Sequence, residues 1–338
     1  MTKEFRCHGA NPEKLYTLFN LEVPDHIFDF STNINAVEQR EGFSPDIRTV
    51  LEDYPDDECF ALRSLLSKKE GMAQENILVT SGSNEAIYLI ASYESARENR
   101  ILQPVYGEYL RALNNYSARC LNIFDLNSSN IPVNGTVWLC NPCNPTGNFI
   151  PDIQLIDLAT KHPDTLFIID EAYRDFIWTE ERQLPCRMLP NVIRLRSLTK
   201  IYNLCGARIG YIISSVEAVE RLKKRQPSWS VSSLAQQAAL YFLADETLID
   251  RTKRYYSTEM SRLISAVREI GFFVLPTSVN YFLMGTDNDE KLIHFLLGHS
   301  IVVRHTRNFP GLDGKYVRIA ARTRVENDLL IAALRDYQ

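Results

Sequence analysis

The feature that most constrains this chain is an alternation of short apolar runs with helix-patterned segments. The runs occupy 76–80, 136–140, 165–169, 191–195 and 209–213 and are rich in β-branched residues. Each is too short for a buried helix and reads as a strand covered on both faces. Segments with helical spacing, 85–98, 108–118 and 153–161, lie between them. Together they predict an α/β fold, a mostly parallel sheet flanked by helices. Residues 232–271 carry an almost unbroken helical pattern without proline, which predicts two long helices leaving that layer. Beyond them, strands at 272–275, 281–284 and near Val302 and Val317 alternate with helices over 289–297 and from Glu326. That stretch predicts a small α+β domain joined by the N-terminal residues. The expected division is a large domain over 36–245 and a small one built from 1–35 and 246–338. The chain's 338 residues suffice for both.

Composition removes several function classes. The net charge is -5 and no long basic tract occurs, which argues against a nucleic-acid partner. Anionic ligands must then be held by local arginines. No run approaches the ~18 apolar residues of a membrane-spanning helix. The opening Met1-Thr2-Lys3-Glu4-Phe5-Arg6 lacks the apolar core of a secretory signal. Seven scattered cysteines fit reduced thiols in the cytoplasm better than a disulfide framework. Cys140-Asn141-Pro142-Cys143 spells C-x-x-C, but no second pair completes a zinc site, so no metal is expected.

Four segments near predicted strand ends carry reactive or ligand-holding groups. Ser197-Leu198-Thr199-Lys200 is followed, after a short glycine-containing stretch, by Arg208-Ile209-Gly210-Tyr211. A lysine amine forms a Schiff base with an aldehyde, while serine and arginine grip a phosphate. Those groups are what covalently held pyridoxal 5'-phosphate (PLP) requires. Thr80-Ser81-Gly82-Ser83-Asn84-Glu85 follows a strand and opens a helix. Its small residues let N–H groups close on a phosphate; alone, the string also reads as a strand-to-helix turn with a serine cap. Asn141-Pro142-Cys143-Asn144-Pro145-Thr146-Gly147 is a stiff turn that can hold the Asn144 amide above a sheet end. Ile168-Ile169-Asp170-Glu171-Ala172-Tyr173 places a carboxylate at the end of a buried strand. Such a carboxylate keeps a pyridine nitrogen protonated, or simply caps the following helix.

The identity and order of these segments resemble the fold type I, aspartate aminotransferase-like PLP enzymes over essentially the whole chain. The resemblance implies that Lys200 bonds PLP covalently, that Asp170 pairs with its ring nitrogen, and that Asn144 and Tyr173 bind its phenolic oxygen. It implies Ser83, Asn84, Ser197 and Arg208 on the phosphate, and Tyr106, in Pro104-Val105-Tyr106, on the ring face. Tyr54, in Asp53-Tyr54-Pro55-Asp56, matches a tyrosine lent to the neighbouring subunit's phosphate, which implies a homodimer with shared active sites. In isolation both tyrosines also fit surface or core aromatics.

Fold alone does not choose the reaction, so substrate-facing residues must. Arg304 and Arg318 fall on successive predicted strands, and two arginines suit a substrate with two anionic groups. Arg307, Arg322 and Arg324 read mostly as solvated. His8-Gly9-Ala10-Asn11 and Asp29-Phe30-Ser31-Thr32-Asn33-Ile34-Asn35 form an arm whose His8 and Asn33 can fold over a phosphorylated ligand. With Asn308-Phe309-Pro310-Gly311-Leu312-Asp313, these strings resemble the L-threonine-O-3-phosphate decarboxylase family, close relatives of the histidinol-phosphate aminotransferases. Ala10 and Ala36-Val37-Glu38-Gln39-Arg40 depart from that family, which has a second glycine and a Pro-Leu-Gly-Pro-like turn there. The resemblance implies a lyase acting on a small phosphorylated amino acid, with an aminotransferase as the alternative. The two differ in which α-carbon bond is held perpendicular to the cofactor ring. A regulatory module with an added DNA-binding domain fits poorly, because the enzyme-like pattern begins at His8.

Overall fold

Thr136-Val137-Trp138-Leu139-Cys140 is buried at every position, as a strand covered on both faces must be. The computed structural model describes residues 11–179 and 188–338. After β1 (Phe28–Asp29) in the N-terminal arm come β2 (Ile77–Thr80), β3 (Asn99–Leu102), β4 (Cys120–Ile123) and β5 (Thr136–Cys140). They are followed by β6 (Leu166–Asp170), β7 (Val192–Ser197) and β8 (Gly210–Ile213). β2 to β8 form one seven-stranded sheet in the order β2-β8-β7-β6-β5-β3-β4. Only β8 runs against the others, so the sheet is mixed yet mostly parallel.

Alternate side chains serve opposite faces of this sheet. Trp138 and Ile168 pack with Ile87 and Ile90 of helix Gly82–Glu94 and Leu113 of helix Glu108–Asn115. Val137, Leu139, Phe167 and Ile169 pack instead with Leu155 and Ala159 of helix Asp152–Lys161. The two long helices expected after residue 232 are Ser233–Leu243 and Leu248–Ile270.

The C-terminal part holds β9 (Tyr281–Gly285), β10 (Ile301–Val302), β11 (Arg304–His305) and β12 (Tyr316–Ala320). β9, β11 and β12 form an antiparallel sheet with β12 in the centre, and β1 pairs in parallel with β10. The closing helix spans Arg324–Tyr337, opened by a capping box between Thr323 and Glu326.

Three strand assignments need correction. β3 and β4 were not expected, because Asn99-Arg100 in β3 and Asn122 in the edge strand β4 break short apolar runs. The buried Asn99 is instead satisfied by polar partners, its Oδ1 accepting from Thr136 and from Trp138 Nε1 at 3.0 Å. The strand expected at 272–275 reduces to a single bridge, Val274 to Met284. Among the described residues no helix is long and apolar enough to cross a membrane.

Candidate active site

The parallel strands deliver their C-terminal ends to one edge of the sheet, where open α/β folds bind ligands. β2 leads into Ser83 and Asn84, β3 towards Tyr106, β5 into Asn144, β6 into Asp170 and Tyr173, and β7 into Ser197 and Lys200. The reversed β8 begins at the same edge, just after Arg208. These side chains line one cavity of about 220 Å³, with Arg304, Arg318 and Asn33 closing it from the C-terminal sheet and the arm.

The cradle at β2 is built by close backbone approach. Gly82 has φ +73°, and a Cβ there would lie 3.0 Å from the Arg208 guanidinium. Ser81 precedes the helix but makes no side-chain cap; its N–H donates to Glu85 Oε2 at 2.6 Å. The first-turn N–H groups of Ser83 and Asn84 have no partner within a helix, which makes this end attractive to an anion. Arg208 lies against the same turn, and its Nη1 donates to Cys205 O at 2.9 Å.

Asp170 ends β6 and is buried. Burial pushes its carboxyl up to about 6, against the opposing hydrogen bonds from Tyr109 and the Ala172 N–H. A cationic group in front of it would relieve that cost. Lys200 has its ammonium pushed below the ordinary lysine range by burial, with Arg318 and Arg208 adding to the effect and Cys205 opposing it. A lysine amine that is easily deprotonated is a competent nucleophile. Burial raises the Tyr173 hydroxyl to about 12, and Asn33 Nδ2 donates to it at 3.2 Å. Tyr106 lines the cavity and donates to Asn84 Oδ1 at 3.2 Å.

Arg304 and Arg318 stand directly opposite each other on β11 and β12. Facing positions of antiparallel strands share a side of the sheet, so both guanidinium groups enter the cavity. Arg318 donates to Asn144 Oδ1 at 2.5 Å and to Ser31 O at 2.6 Å, while its buried Nε has no hydrogen-bond partner. Arg304 donates to Asn308 Oδ1 at 2.7 Å and lies 5.5 Å from the Phe309 ring centre. Asn33 Oδ1 is likewise buried without a partner. Arg307 and Arg322, expected to be solvated, pair with Asp289 and Glu326 at 2.6 and 3.2 Å.

Among the described residues, one expected site residue is not gathered here. Tyr54 is 81% exposed and packs on Trp229, ring centres 4.7 Å apart, outside this chain's cavity. His8 lies outside the described residues. The sequence reading also missed lining residues. Ser31 and Thr32 of the arm, Thr199 beside Lys200, Cys140 and Phe309 all face the cavity. The two C-x-x-C thiols are free and donate to different carbonyls, Cys140 to Pro142 and Cys143 to Pro104.

Residues 51–334 match the family model of class I and II aminotransferases. The chain belongs to that family. Its members depend on PLP, and the fold is that of aspartate aminotransferase. The chain is 32% identical to the threonine-phosphate decarboxylase of Salmonella typhimurium, across 98% of this chain and 96% of that one. It is 29% identical to the histidinol-phosphate aminotransferase of Methanococcus aeolicus, across 99% and 97%. The solved structure of L-threonine-O-3-phosphate decarboxylase from Porphyromonas gingivalis superposes with a TM-score of 0.80 at 26% identity, covering 92% of this chain and 99% of that one.

The residues present fit the family's cofactor. The cavity combines an easily neutralised lysine, a buried carboxylate that lacks a cation, and a glycine cradle at a helix N-terminus flanked by arginine.

Proposed function

We propose that this chain decarboxylates L-threonine O-3-phosphate to (R)-1-amino-2-propanol phosphate, the cobalamin side-chain building block. The observation that carries this reading is the facing pair Arg304 and Arg318, both buried against one cavity. Two fixed cations on one wall suit a small substrate bearing a carboxylate and a phosphate. Similarity to threonine-phosphate decarboxylases supports the same substrate.

In this reading Lys200 holds PLP and Asp170 pairs with its ring nitrogen. Asn144 and Tyr173 bind the phenolic oxygen; Ser83, Asn84, Ser197 and Arg208 bind the phosphate, with Tyr106 on the ring face. PLP held by these residues would supply an electron-accepting ring for the chemistry at the substrate's α-carbon. Arg318, tied to Asn144 and close to Lys200 in charge, takes the α-carboxylate. Arg304, backed by Asn308, takes the phosphate, assisted by Asn33 and by His8 of the arm. Freed from the cofactor when the substrate's amine takes its place, Lys200 in its protonated form would then return a proton to the α-carbon as CO2 leaves.

The chain's exposed Tyr54 belongs, in the same reading, to the phosphate site of a second subunit in a homodimer. Exposed Ile47, Leu51, Phe60 and Trp229 nearby support a buried contact at that face. Residues 36–245 form the cofactor domain, and 1–35 with 246–338 the smaller one; the β1–β10 pairing supports that grouping. The free thiols of Cys59, Cys120, Cys140, Cys143 and Cys205 fit a cytoplasmic setting.

The test is CO2 release from L-threonine O-3-phosphate by PLP-loaded protein without any 2-oxo acid. Stoichiometric CO2 and aminopropanol phosphate are expected. The second reading, a histidinol-phosphate aminotransferase, draws on relatives such as that of Methanococcus aeolicus. It requires no CO2 and a product that appears only with a 2-oxo acid acceptor.

A further inference from the structure

Both oxygens of Asp170 are held. Tyr109 OH donates to Oδ2 at 2.7 Å, and the Ala172 N–H donates to Oδ1 at 3.0 Å. Tyr109 lies in the first turn of helix Glu108–Asn115, three residues after Tyr106, which precedes the helix. Its side chain is fully buried. The ring tilts 30° against Trp138 at 5.8 Å and meets Tyr106 edge-on at 6.1 Å. A phenol packed on two sides has little freedom to aim its hydroxyl elsewhere.

We propose that Tyr109 is a positioning residue for the cofactor's ring nitrogen: its hydroxyl orients Asp170 and keeps that carboxylate ionised inside a water-poor pocket. This rests on the reading of Asp170 as the partner of that nitrogen. A carboxylate that drifts or protonates loses its hold on a cationic ring, and the ring then loses its power as an electron sink.

The neighbours of Asp170 leave Tyr109 a decisive part. Cys140 is its register partner on β5, Tyr106 and Tyr109 face it from the helix side, and Glu171 and Tyr173 follow it in the chain. Of these only Glu171 carries full charge, and it is matched by Arg174, Arg194 and Arg196 at 3.3, 2.6 and 3.2 Å. The bonds from Tyr109 and Ala172 are therefore what opposes burial. The sign follows directly. A carboxyl raised from 3.8 to about 6 costs the folded protein stability as pH rises through that interval. Losing the Tyr109 hydroxyl must move the upper end of the window to higher pH.

The experiment uses full-length protein with Tyr109→Phe, Asp170→Asn and both changes. Denaturant unfolding of PLP-free protein between pH 4.5 and 8.5 is read beside the PLP dissociation constant at pH 6 and 8. In wild type, stability should fall across an inflection near pH 6; Tyr109→Phe should raise that inflection by about one unit, a tenfold change in the ionisation equilibrium. Asp170→Asn should abolish the inflection, and adding Tyr109→Phe to it should change nothing further in the profile. PLP should bind Tyr109→Phe more weakly at pH 6 than at pH 8, by a wider ratio than in wild type. An inflection unmoved by Tyr109→Phe, or an equal movement in the Asp170→Asn background, would overturn the proposal. Should Tyr109→Phe not fold, 3-fluorotyrosine placed at 109 keeps the hydroxyl and strengthens its donation. It must lower the inflection, and an unmoved one overturns the proposal. If Asp170→Asn binds PLP as wild type does, the ring-nitrogen reading falls, while the shift in inflection still upholds the Tyr109–Asp170 link.

Discussion

Gly210→Ala should damage cofactor binding more than it damages the fold. Gly210 opens β8 and sits in register between Thr80 on β2 and Ser197 on β7, the two strand ends that feed the phosphate cradle. A Cβ at this position would lie 2.7 Å from Arg196 O, 2.9 Å from Ser83 N and 3.0 Å from Gly82 C. All three are backbone atoms, so no side-chain rotation relieves the contact. Restoring ordinary separations of 3.4 Å requires retreats of about 0.7, 0.5 and 0.4 Å. Overpacking of this kind costs about 1–3 kcal/mol, offset by up to ~1 kcal/mol because alanine restricts the unfolded chain. The net loss of stability should be about 1–2 kcal/mol.

Function should suffer further, since the retreat falls on the turn that presents Ser83 and Asn84. A displacement approaching 1 Å in a positioning group can cost ~100-fold. The assay pairs denaturant unfolding with PLP titration of the full-length chain. Gly206→Ala serves as control, because a Cβ there meets nothing within 4 Å on the same Lys200–Arg208 connection. PLP affinity should drop at least ~10-fold for Gly210→Ala and stay within about twofold for Gly206→Ala. Equal affinities for the two variants would refute the cradle argument.

Further outcomes are expected at single residues. Lys200→Ala should abolish turnover and leave no PLP adduct after borohydride reduction, checked by intact mass; a reduced adduct on the variant would remove Lys200 from its role. Arg318→Gln should cost about 2–5 kcal/mol in kcat/KM, because Arg318 is the buried donor to Asn144 and Ser31; steady-state kinetics with unchanged kcat/KM would exclude it from the site. Tyr54→Phe should change unfolding stability by no more than ~0.5 kcal/mol, given its exposure, yet weaken PLP binding in the oligomer; equal PLP affinity would detach Tyr54 from the shared site.

What was legible in the sequence divides along a physical line. Strands buried on both faces announce themselves, which is why 136–140 and 165–169 were readable while β3 was not. β3 spends half its positions on Asn99 and Arg100; the burial of Asn99 is made tolerable by partners distant in sequence, Thr136 and Trp138, while the partly exposed Arg100 pairs with Glu98. Site residues with special backbone demands, such as Gly82 or the Asn-Pro turn, are equally legible because few other residues satisfy those demands. Tyr109 carries no such mark. Its role arises from meeting Asp170 across 61 residues of chain, a contact that no local pattern around residue 109 announces.

The two arginines occupy the boundary between these cases. Strand alternation placed Arg304 and Arg318 on neighbouring elements, but their function depends on register, and register is a tertiary fact. A one-residue slip of β11 against β12 would send Arg304 to the opposite face and put His305 in the cavity beside Arg318. The slip is blocked by what each strand must bury. Val303, next to Arg304, packs in the same core as the completely buried Val317 and Ile319, and β9 fixes β12 along its full length, Tyr316 to Gly285 through Ala320 to Tyr281. Hydrophobic packing on one side of β12 thus holds Arg318 in the cavity on the other, and its register with β11 sets Arg304 beside it. The capacity of this site for a doubly anionic ligand therefore rests on core packing that makes no contact with the ligand.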